Sequence, residues 1–126
     1  MAITPEGKVK DAVKRVLAKY PDTYAVWPVP SGYGPSTLDC VGCHYGRFFA
    51  IETKAPGKQP TPRQQQMVQN IHNAHGAAFI IDGVDYEDLM GLEGWLRIIR
   101  KIHKRRLRKD AVLRGWRHEH PRKQAT

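Results

Sequence analysis

Two spacings of apolar residues alternate along this chain and predict its secondary structure. Over residues 4–20 and 61–75, apolar positions recur at every third or fourth residue, which is the spacing of one face of an α-helix. Both stretches begin with Thr-Pro, a typical helix start, because Thr caps the first turn and Pro fits the first helical position. The two apolar faces comprise Val9, Ala12, Val13, Val16, Leu17 and Tyr20, and Met67, Val68, Ile71 and Ala74.

Shorter apolar runs bounded by Gly and Pro predict strands at residues 24–29, 37–41, 47–54 and 77–82. The Gly-rich turn at residues 42–46 predicts that the second and third of these strands form a hairpin. The last run is continuously apolar, which predicts a buried strand, and its place after a strand and a helix predicts a right-handed crossover onto the same sheet. We therefore predict an α/β fold with a mixed central sheet flanked by helices.

The C-terminal quarter of the chain differs from the rest in charge. Residues 1–96 carry nine Lys and Arg against ten Asp and Glu, whereas residues 97–126 carry twelve Lys and Arg against two acidic residues. We predict a body of residues 1–100 and a basic helical extension of residues 101–126. Such an extension suits a polyanion, most simply nucleic acid, and the alternative is a solvated tail that only aids solubility.

Two helices are predicted in the C-terminal part of the chain. A short helix is expected near residues 85–90, and a longer one begins near Leu92. The apolar face of the longer helix comprises Trp95, Leu96, Ile99 and Ile102. From about residue 117 we expect disorder.

Three charged residues stand at one end of the predicted hairpin. Glu52 and Lys54 point to the same face of their strand because side chains alternate across a strand. The hairpin would bring Asp39, from the preceding strand, beside Glu52. Two carboxylates and an ammonium group on one edge make a divalent-metal site next to a cation, and a partly buried salt-bridge trio is the alternative.

An ordered set of motifs resembles a known nuclease family. The set comprises Glu6 in the first turn of the first helix, Leu38-Asp39 after a Gly/Pro loop, Ile51-Glu52-Thr53-Lys54, a Gly loop, and Thr61-Pro62-Arg63-Gln64. In this order the motifs are similar to those of VRR-NUC nucleases in the PD-(D/E)XK superfamily, over roughly residues 4–100. The family usually has Pro directly before the Asp, where this chain has Leu38.

The resemblance implies a PD-(D/E)XK, restriction-endonuclease-like core and a metal-dependent, structure-selective endonuclease. Its substrate would be branched DNA such as Holliday junctions, and its cofactor Mg²⁺, with Mn²⁺ as a substitute. The implied metal ligands are Glu6, Asp39, Glu52 and the backbone carbonyl of Thr53. Lys54 would orient or deprotonate the attacking water, or stabilise the transition state, and Gln64 would hold the scissile phosphate or Lys54. From the residues alone, Glu6 is a simple partner for the helix dipole.

The expected partner is DNA, bound by exposed cations. The predicted contacts are Lys58, Arg63, Arg97, Arg100, Lys101, Lys104, Arg105 and Arg106. The resemblance to small phage and bacterial Holliday-junction resolvases further implies a homodimer. The alternative function is a DNA-binding module on a nuclease-like fold without cleavage activity.

The sequence also bears on the cellular compartment. We see no apolar run long enough to span a bilayer and no export signal at the N-terminus, and the chain has two Cys residues. We therefore expect reduced thiols and no membrane partner, in the cytoplasm of a bacterium or a phage-infected cell.

A second motif, Cys40-Val41-Gly42-Cys43-His44, matches the pattern of c-type haem attachment. Haem attachment needs export, and a zinc site would need more ligands, for which His72 and His75 are the candidates. The favoured interpretation is two thiols in a hairpin turn, with His44 exposed or touching DNA.

Overall fold

The computed structural model describes residues 3–30, 32, 34 and 36–119, with side chains up to residue 116. The elements in chain order are α1 (Pro5–Ala18), β1 (Thr23–Val26), β2 (Cys40–His44), β3 (Arg47–Thr53), α2 (Pro62–Asn73), β4 (Ala77–Ile81) and α3 (Tyr86–Glu119). The strands form one sheet in the order β1-β2-β3-β4. The first three strands are antiparallel, and β4 is parallel to β3. The predicted α/β class with a mixed sheet is confirmed.

Both Thr-Pro helix starts are confirmed, and their caps explain why the helices begin there. The Thr4 hydroxyl accepts a hydrogen bond from the Gly7 N–H at 3.0 Å. At α2, the Gln64 N–H donates to the Thr61 hydroxyl at 3.2 Å, and the Thr61 N–H donates to Gln64 Oε1 at 2.9 Å. This reciprocal capping box fixes the side chain of Gln64 as well as the start of the helix.

The C-terminal end of α2 depends on close packing at Gly76. The left-handed residue that ends the helix is His75, with φ 65°. The N–H groups of Gly76 and His75 donate to the carbonyls of Ile71 and His72 at 2.9 and 3.0 Å, which is the Schellman arrangement. A Cβ at Gly76 would lie 2.9 Å from Ile71 Cγ2 and 3.0 Å from Phe48 Cδ1. Glycine is required here because the chain passes close to its neighbours.

Strand β2 lies three residues later in the chain than predicted, and the turn of the β2–β3 hairpin is shorter. Tyr45 and Gly46 alone form the turn, with φ 49° and 82°, as in the two-residue turns that fit the twist of a hairpin. Cys40 pairs with Ile51 at the other end. Asp39 lies directly before β2, one position beyond that pair and level with Glu52, so its predicted place inside a strand over residues 37–41 is wrong.

The sheet has one fully covered face. The core that α1 and α3 form with this face comprises Val9, Val13, Val16, Leu17, Tyr20, Cys40, Phe49, Ile51, Ile81, Leu92 and Leu96. The opposite face carries Phe48 and Glu52 and meets α2, through the Phe48–Gly76 approach and a Gln64–Glu52 hydrogen bond. β4 lies at the edge of the described sheet and only Ile81 in it is buried. The predicted buried strand is therefore wrong, because a strand at the edge of the sheet keeps part of its surface in solvent.

The two C-terminal helices predicted from the sequence are one continuous helix, α3. Interior glycines cost a helix only about 1 kcal/mol each, and burial of Leu92, Leu96 and Ile99 offsets that cost. The predicted boundary after residue 100 falls inside α3. The predicted disorder is wrong for residues 117–119, which are helical, and the rest of that prediction lies outside the described residues. None of the three helices described combines the length and apolarity that a membrane crossing needs.

Candidate metal centre

The structure brings Asp39, Glu52 and Lys54 together at the open end of the β2–β3 hairpin. The Asp39 N–H donates to Glu52 Oε2 at 3.1 Å. Lys54 Nζ lies 3.7 Å from Glu52 Oε1. Glu52 is only 4% exposed, so a nearly buried carboxylate stands between a second carboxylate and an ammonium group.

Thr53 holds Asp39 in place with two donors. Its N–H and its hydroxyl both donate to Asp39 Oδ2, at 2.9 and 2.8 Å, and Thr53 is fully buried. Sequence reasoning assigned only the Thr53 carbonyl a role. The hydroxyl was missed because strand alternation places the side chains of Thr53 and Glu52 on opposite faces, and no spacing rule points from Thr53 to Asp39.

Gln64 contacts Glu52, whereas the resemblance implied that it holds the scissile phosphate or Lys54. Its Nε2 donates to Glu52 Oε1 at 2.8 Å. The capping box explains this orientation: because the amide oxygen of Gln64 accepts from the Thr61 N–H, the amide nitrogen must face the carboxylate. The start of α2 therefore positions the side chain that holds Glu52.

The electrostatics of the site disfavour a second negative charge. Burial raises the pKa of Glu52, and the charge of Asp39 raises it further; the Asp39 N–H and Lys54 act in the opposite direction. The charge of Glu6 makes a smaller contribution that also raises this pKa. A cation bound between the two carboxylates would relieve the repulsion, since opposite charge favours the ionised form.

The two carboxylates line an open cleft of about 680 Å³. Its other walls come from the segment around Pro28–Pro30, from Ser36–Leu38 and from the first turns of α2, with Arg63, Gln64 and Met67. Arg63, a predicted DNA contact, is exposed on this wall. Lys58, another predicted contact, is exposed in the loop after β3. The cleft gives a ligand access to one of the most buried charges of the protein.

The donor chemistry of the cleft fits a hard divalent ion. Mg²⁺ binds through one or two carboxylates and keeps waters or substrate phosphates in its other positions. Asp39 and Glu52 supply two such carboxylates. In the part of the chain that the structure describes, no three His, Cys, Asp or Glu side chains are grouped so as to hold an ion. The structure thus does not bring Glu6 into one ligand group with Asp39 and Glu52.

The Cys-X-X-Cys-His motif forms strand β2, which places its two cysteines on opposite faces of the sheet. Cys40 and His44 are buried on the core face, whereas Cys43 is exposed on the other face. Burial raises the pKa of the Cys40 thiol to about 12, so this sulfur stays protonated. Alternation along the strand keeps the two thiols apart.

His44 is fully buried, so its predicted exposure is wrong. Its Nε2 lies 2.8 Å from the Leu96 carbonyl and its Nδ1 2.7 Å from the Thr23 hydroxyl. Because a carbonyl can only accept, Nε2 carries the proton and Nδ1 accepts from Thr23. His44 thus joins β1, β2 and α3 through these hydrogen bonds.

The basic residues of α3 occupy two environments. Arg100 packs over the ring of Tyr20, with its guanidinium carbon 4.8 Å from the ring centre. The other predicted contacts on this helix are exposed: Arg97, Lys101, Lys104, Arg105 and Arg106. The rings of His103 and Tyr45 lie 4.7 Å apart, so α3 passes the turn end of the hairpin, away from Asp39 and Glu52.

No family model matches this sequence, and no curated protein matches it significantly.

Proposed function

We propose that this protein is a metal-dependent, structure-selective endonuclease that hydrolyses phosphodiester bonds in branched DNA such as Holliday junctions. The observation that carries the proposal is the nearly buried Glu52 beside Asp39 and Lys54, facing an open cleft. A purely structural ion pair gains nothing from a like-charged neighbour, which raises the pKa of Glu52. Carboxylates that repel each other at an accessible site are typical of functional centres.

Asp39 and Glu52 would hold Mg²⁺, or Mn²⁺ in its place. The resemblance to VRR-NUC nucleases implies the Thr53 carbonyl as a further ligand. It also implies Glu6, which is not grouped with Asp39 and Glu52 in this structure. When bound, the ion would polarise the phosphate and acidify a water molecule.

The remaining groups of the site have separate tasks. Lys54 lies next to Glu52 and would neutralise charge that develops on the phosphate, or take the proton of the attacking water. Gln64 and the Asp39 N–H hold both oxygens of Glu52, and Thr53 holds Asp39. Arg63, on the cleft wall, would bind a phosphate through its guanidinium.

The fold is compatible with a PD-(D/E)XK-like core of the VRR-NUC type. Its mixed four-stranded sheet has helices on both faces, and the two carboxylates stand where the hairpin opens. The exposed cations of α3 would add affinity for the DNA backbone without sequence preference. We further propose that the protein acts in the cytoplasm as a homodimer, which would present two sites to opposed strands of a junction.

A cleavage panel tests this function. Linear duplex, single strand, flap and four-way junction substrates of equal length are incubated with Mg²⁺, Mn²⁺ or EDTA. Faster cleavage of branched than of linear DNA, dependent on the metal and absent in Glu52→Gln, is the expected result. DNA binding without cleavage of any substrate would favour the binding-module alternative. Two symmetric nicks per junction, with a dimer mass by light scattering, would support the homodimer.

A further inference from the structure

The sheet face that carries Glu52 continues, away from the cleft, as an uncharged surface. Tyr24 pairs with Cys43, and Cys43 with Phe48, so these residues form a row across three strands. Val26 and Val41 form the next row towards Glu52. We call these five residues the open sheet face: Tyr24, Val26, Val41, Cys43 and Phe48. Tyr24 is 70% exposed and Phe48 is 47% exposed.

Helix α2 connects this surface with the cleft. Its residues Arg63 and Met67 line the cleft. One turn later, Asn70, Ile71 and Ala74 line a shallow groove of about 470 Å³, together with Arg47, Phe48 and His75. The α2 residues of both sites recur at three- and four-residue spacing, so they share one face of the helix. The cleft and the groove are therefore the two ends of one path along the sheet.

We propose that the open sheet face binds unpaired bases of the DNA strand whose scissile phosphate lies in the cleft, with Tyr24 and Phe48 as the stacking rings. This inference rests on the proposed nuclease function and specifies its substrate: DNA with unpaired nucleotides next to the cleavage point. Stacking of a base on an aromatic ring contributes about 1–3 kcal/mol and tolerates any sequence. A surface without charge suits the faces of bases and leaves the phosphates turned towards solvent.

The dimensions of the path agree with a short stretch of one strand. Phe48 precedes Glu52 by four residues in β3, a distance of about 13 Å at 3.3 Å per residue. A stacked strand advances about 3.4 Å per nucleotide, so Phe48 lies about four nucleotide steps from the metal centre. In duplex DNA only the edges of the bases are accessible, in the grooves. Bases that reach Phe48 and Tyr24 face-on must therefore be unpaired, as in the single strand of a flap or in a junction whose pairs next to the branch point have opened.

A second copy of the chain fits this surface less well than DNA. A protein–protein interface of standard size uses roughly 20–30 residues on each side, and the open sheet face has five. The groove beside Phe48 also presents Arg47, Asn70 and His75, whose side chains are suited to phosphates and base edges. The cationic part of α3 passes this same end of the hairpin. Nucleic acid thus has contacts at both ends of the path.

Three single variants test the inference. Tyr24→Ser and Phe48→Ser remove the rings, and Tyr86→Ser is the matched control, because Tyr86 is 75% exposed at the start of α3 and lies outside the open sheet face. Binding of a labelled single strand and of a linear duplex of equal length is measured in EDTA, where metal-dependent cleavage is absent. Tyr24→Ser and Phe48→Ser are expected to weaken single-strand binding by about fivefold or more each, the lower limit of one stacking contact. Duplex binding, and both affinities of Tyr86→Ser, should change less than twofold.

The controls separate stacking from folding and from self-association. Phe48→Tyr retains a ring and should bind the single strand like the parent protein. If Phe48→Ser lowers the melting temperature, the inference is judged from the binding of Tyr24→Ser alone, because Tyr24 is more exposed and its loss disturbs the fold less. Unchanged single-strand binding in Tyr24→Ser overturns the inference. A Tyr24→Ser or Phe48→Ser variant that changes from dimer to monomer without a change in DNA binding also overturns it. Because the readout is binding, a failure of the nuclease proposal appears separately, as a parent protein that binds but does not cut.

Discussion

The two ends of the β2–β3 hairpin each bury a titratable group, and the groups have opposite surroundings. At the turn end, both nitrogens of His44 are hydrogen-bonded, and the rings of Tyr20 and Tyr45 stand edge-on to the imidazole at 5.8 and 4.6 Å. At the other end, Glu52 is nearly as buried, but it stands beside the like-charged Asp39 and lines an open cleft.

Burial alone does not distinguish a structural group from a functional one. It lowers the pKa of His44 and raises the pKa of Glu52, because a low dielectric disfavours the charged form of either group. His44 can remain neutral, so its burial costs little. Under the proposed function, Glu52 would carry its charge when a cation binds beside it. The like-charged neighbour and the access to solvent are the features that distinguish Glu52 from His44, and they support the proposed function at this end.

The largest expected effect is on cleavage. Glu52→Gln and Asp39→Asn keep the size of each side chain and remove the charge that would hold the metal, and Lys54→Ala removes only the cation. Each variant should lose cleavage by about a hundredfold or more, since one preorganised electrostatic contact typically contributes 10²–10³ in rate. DNA binding should persist in all three and tighten in the two acid variants, which lose a negative charge facing phosphate. Single-turnover cleavage and filter binding measure both quantities.

A matched control for these variants is Glu93→Gln. Glu93 pairs with Lys19 Nζ at 3.2 Å on the surface, so its loss should leave cleavage unchanged. Full activity of Glu52→Gln would contradict the metal centre. A large fall in melting temperature in all three site variants, at equal specific activity, would instead identify a structural salt-bridge trio.

At the turn end, His44→Ala should destabilise the fold and spare the chemistry. The variant removes a buried ring and leaves the Leu96 carbonyl and the Thr23 hydroxyl without their partner. We expect a loss of about 2–3 kcal/mol in the free energy of unfolding, measured by urea denaturation. Cleavage per folded molecule should be unchanged. If His44→Ala were as stable as the parent protein but did not cleave DNA, the assignment of a structural role to His44 would be wrong.

The cations of α3 lie away from Asp39 and Glu52, so their replacement should change only binding. Replacement of Arg105, Arg106, Arg108 and Lys109 by Gln should reduce the salt dependence of DNA binding, by about 0.9 in the log–log slope for each phosphate that these side chains neutralise. Arg15→Gln, on the outer side of α1, is the control. An unaltered slope would exclude these cations from the DNA interface.

The smallest effect is a pair of opposite pH dependences of stability. As pH falls below 6.5 towards the lowered pKa of His44, the unfolded chain binds the proton first, so stability decreases. As pH rises from 4.5 towards the raised pKa of Glu52, the unfolded chain loses its proton first, so stability also decreases. Each slope is at most about 1.4 kcal/mol per pH unit. Urea titrations should find the first slope missing in His44→Ala and the second missing in Glu52→Gln.

Local interactions let the sequence determine much of this protein. The Thr-Pro starts of α1 and α2, the α/β class and the approach of Asp39 to Glu52 were all predictable. Each depends on residues within one helical turn or across one hairpin, where spacing alone fixes which side chains meet.

Only the tertiary structure decided the rest, because it depends on contacts between distant parts of the chain. His44 is buried because Leu96, 52 residues away, supplies an acceptor for its proton. α3 stays continuous through its glycines because the sheet buries its apolar face. The uncharged surface beside the cleft exists because α2 covers only part of its side of the sheet. Which faces are covered is a property of the assembled layers, and residue spacing within one element does not encode it.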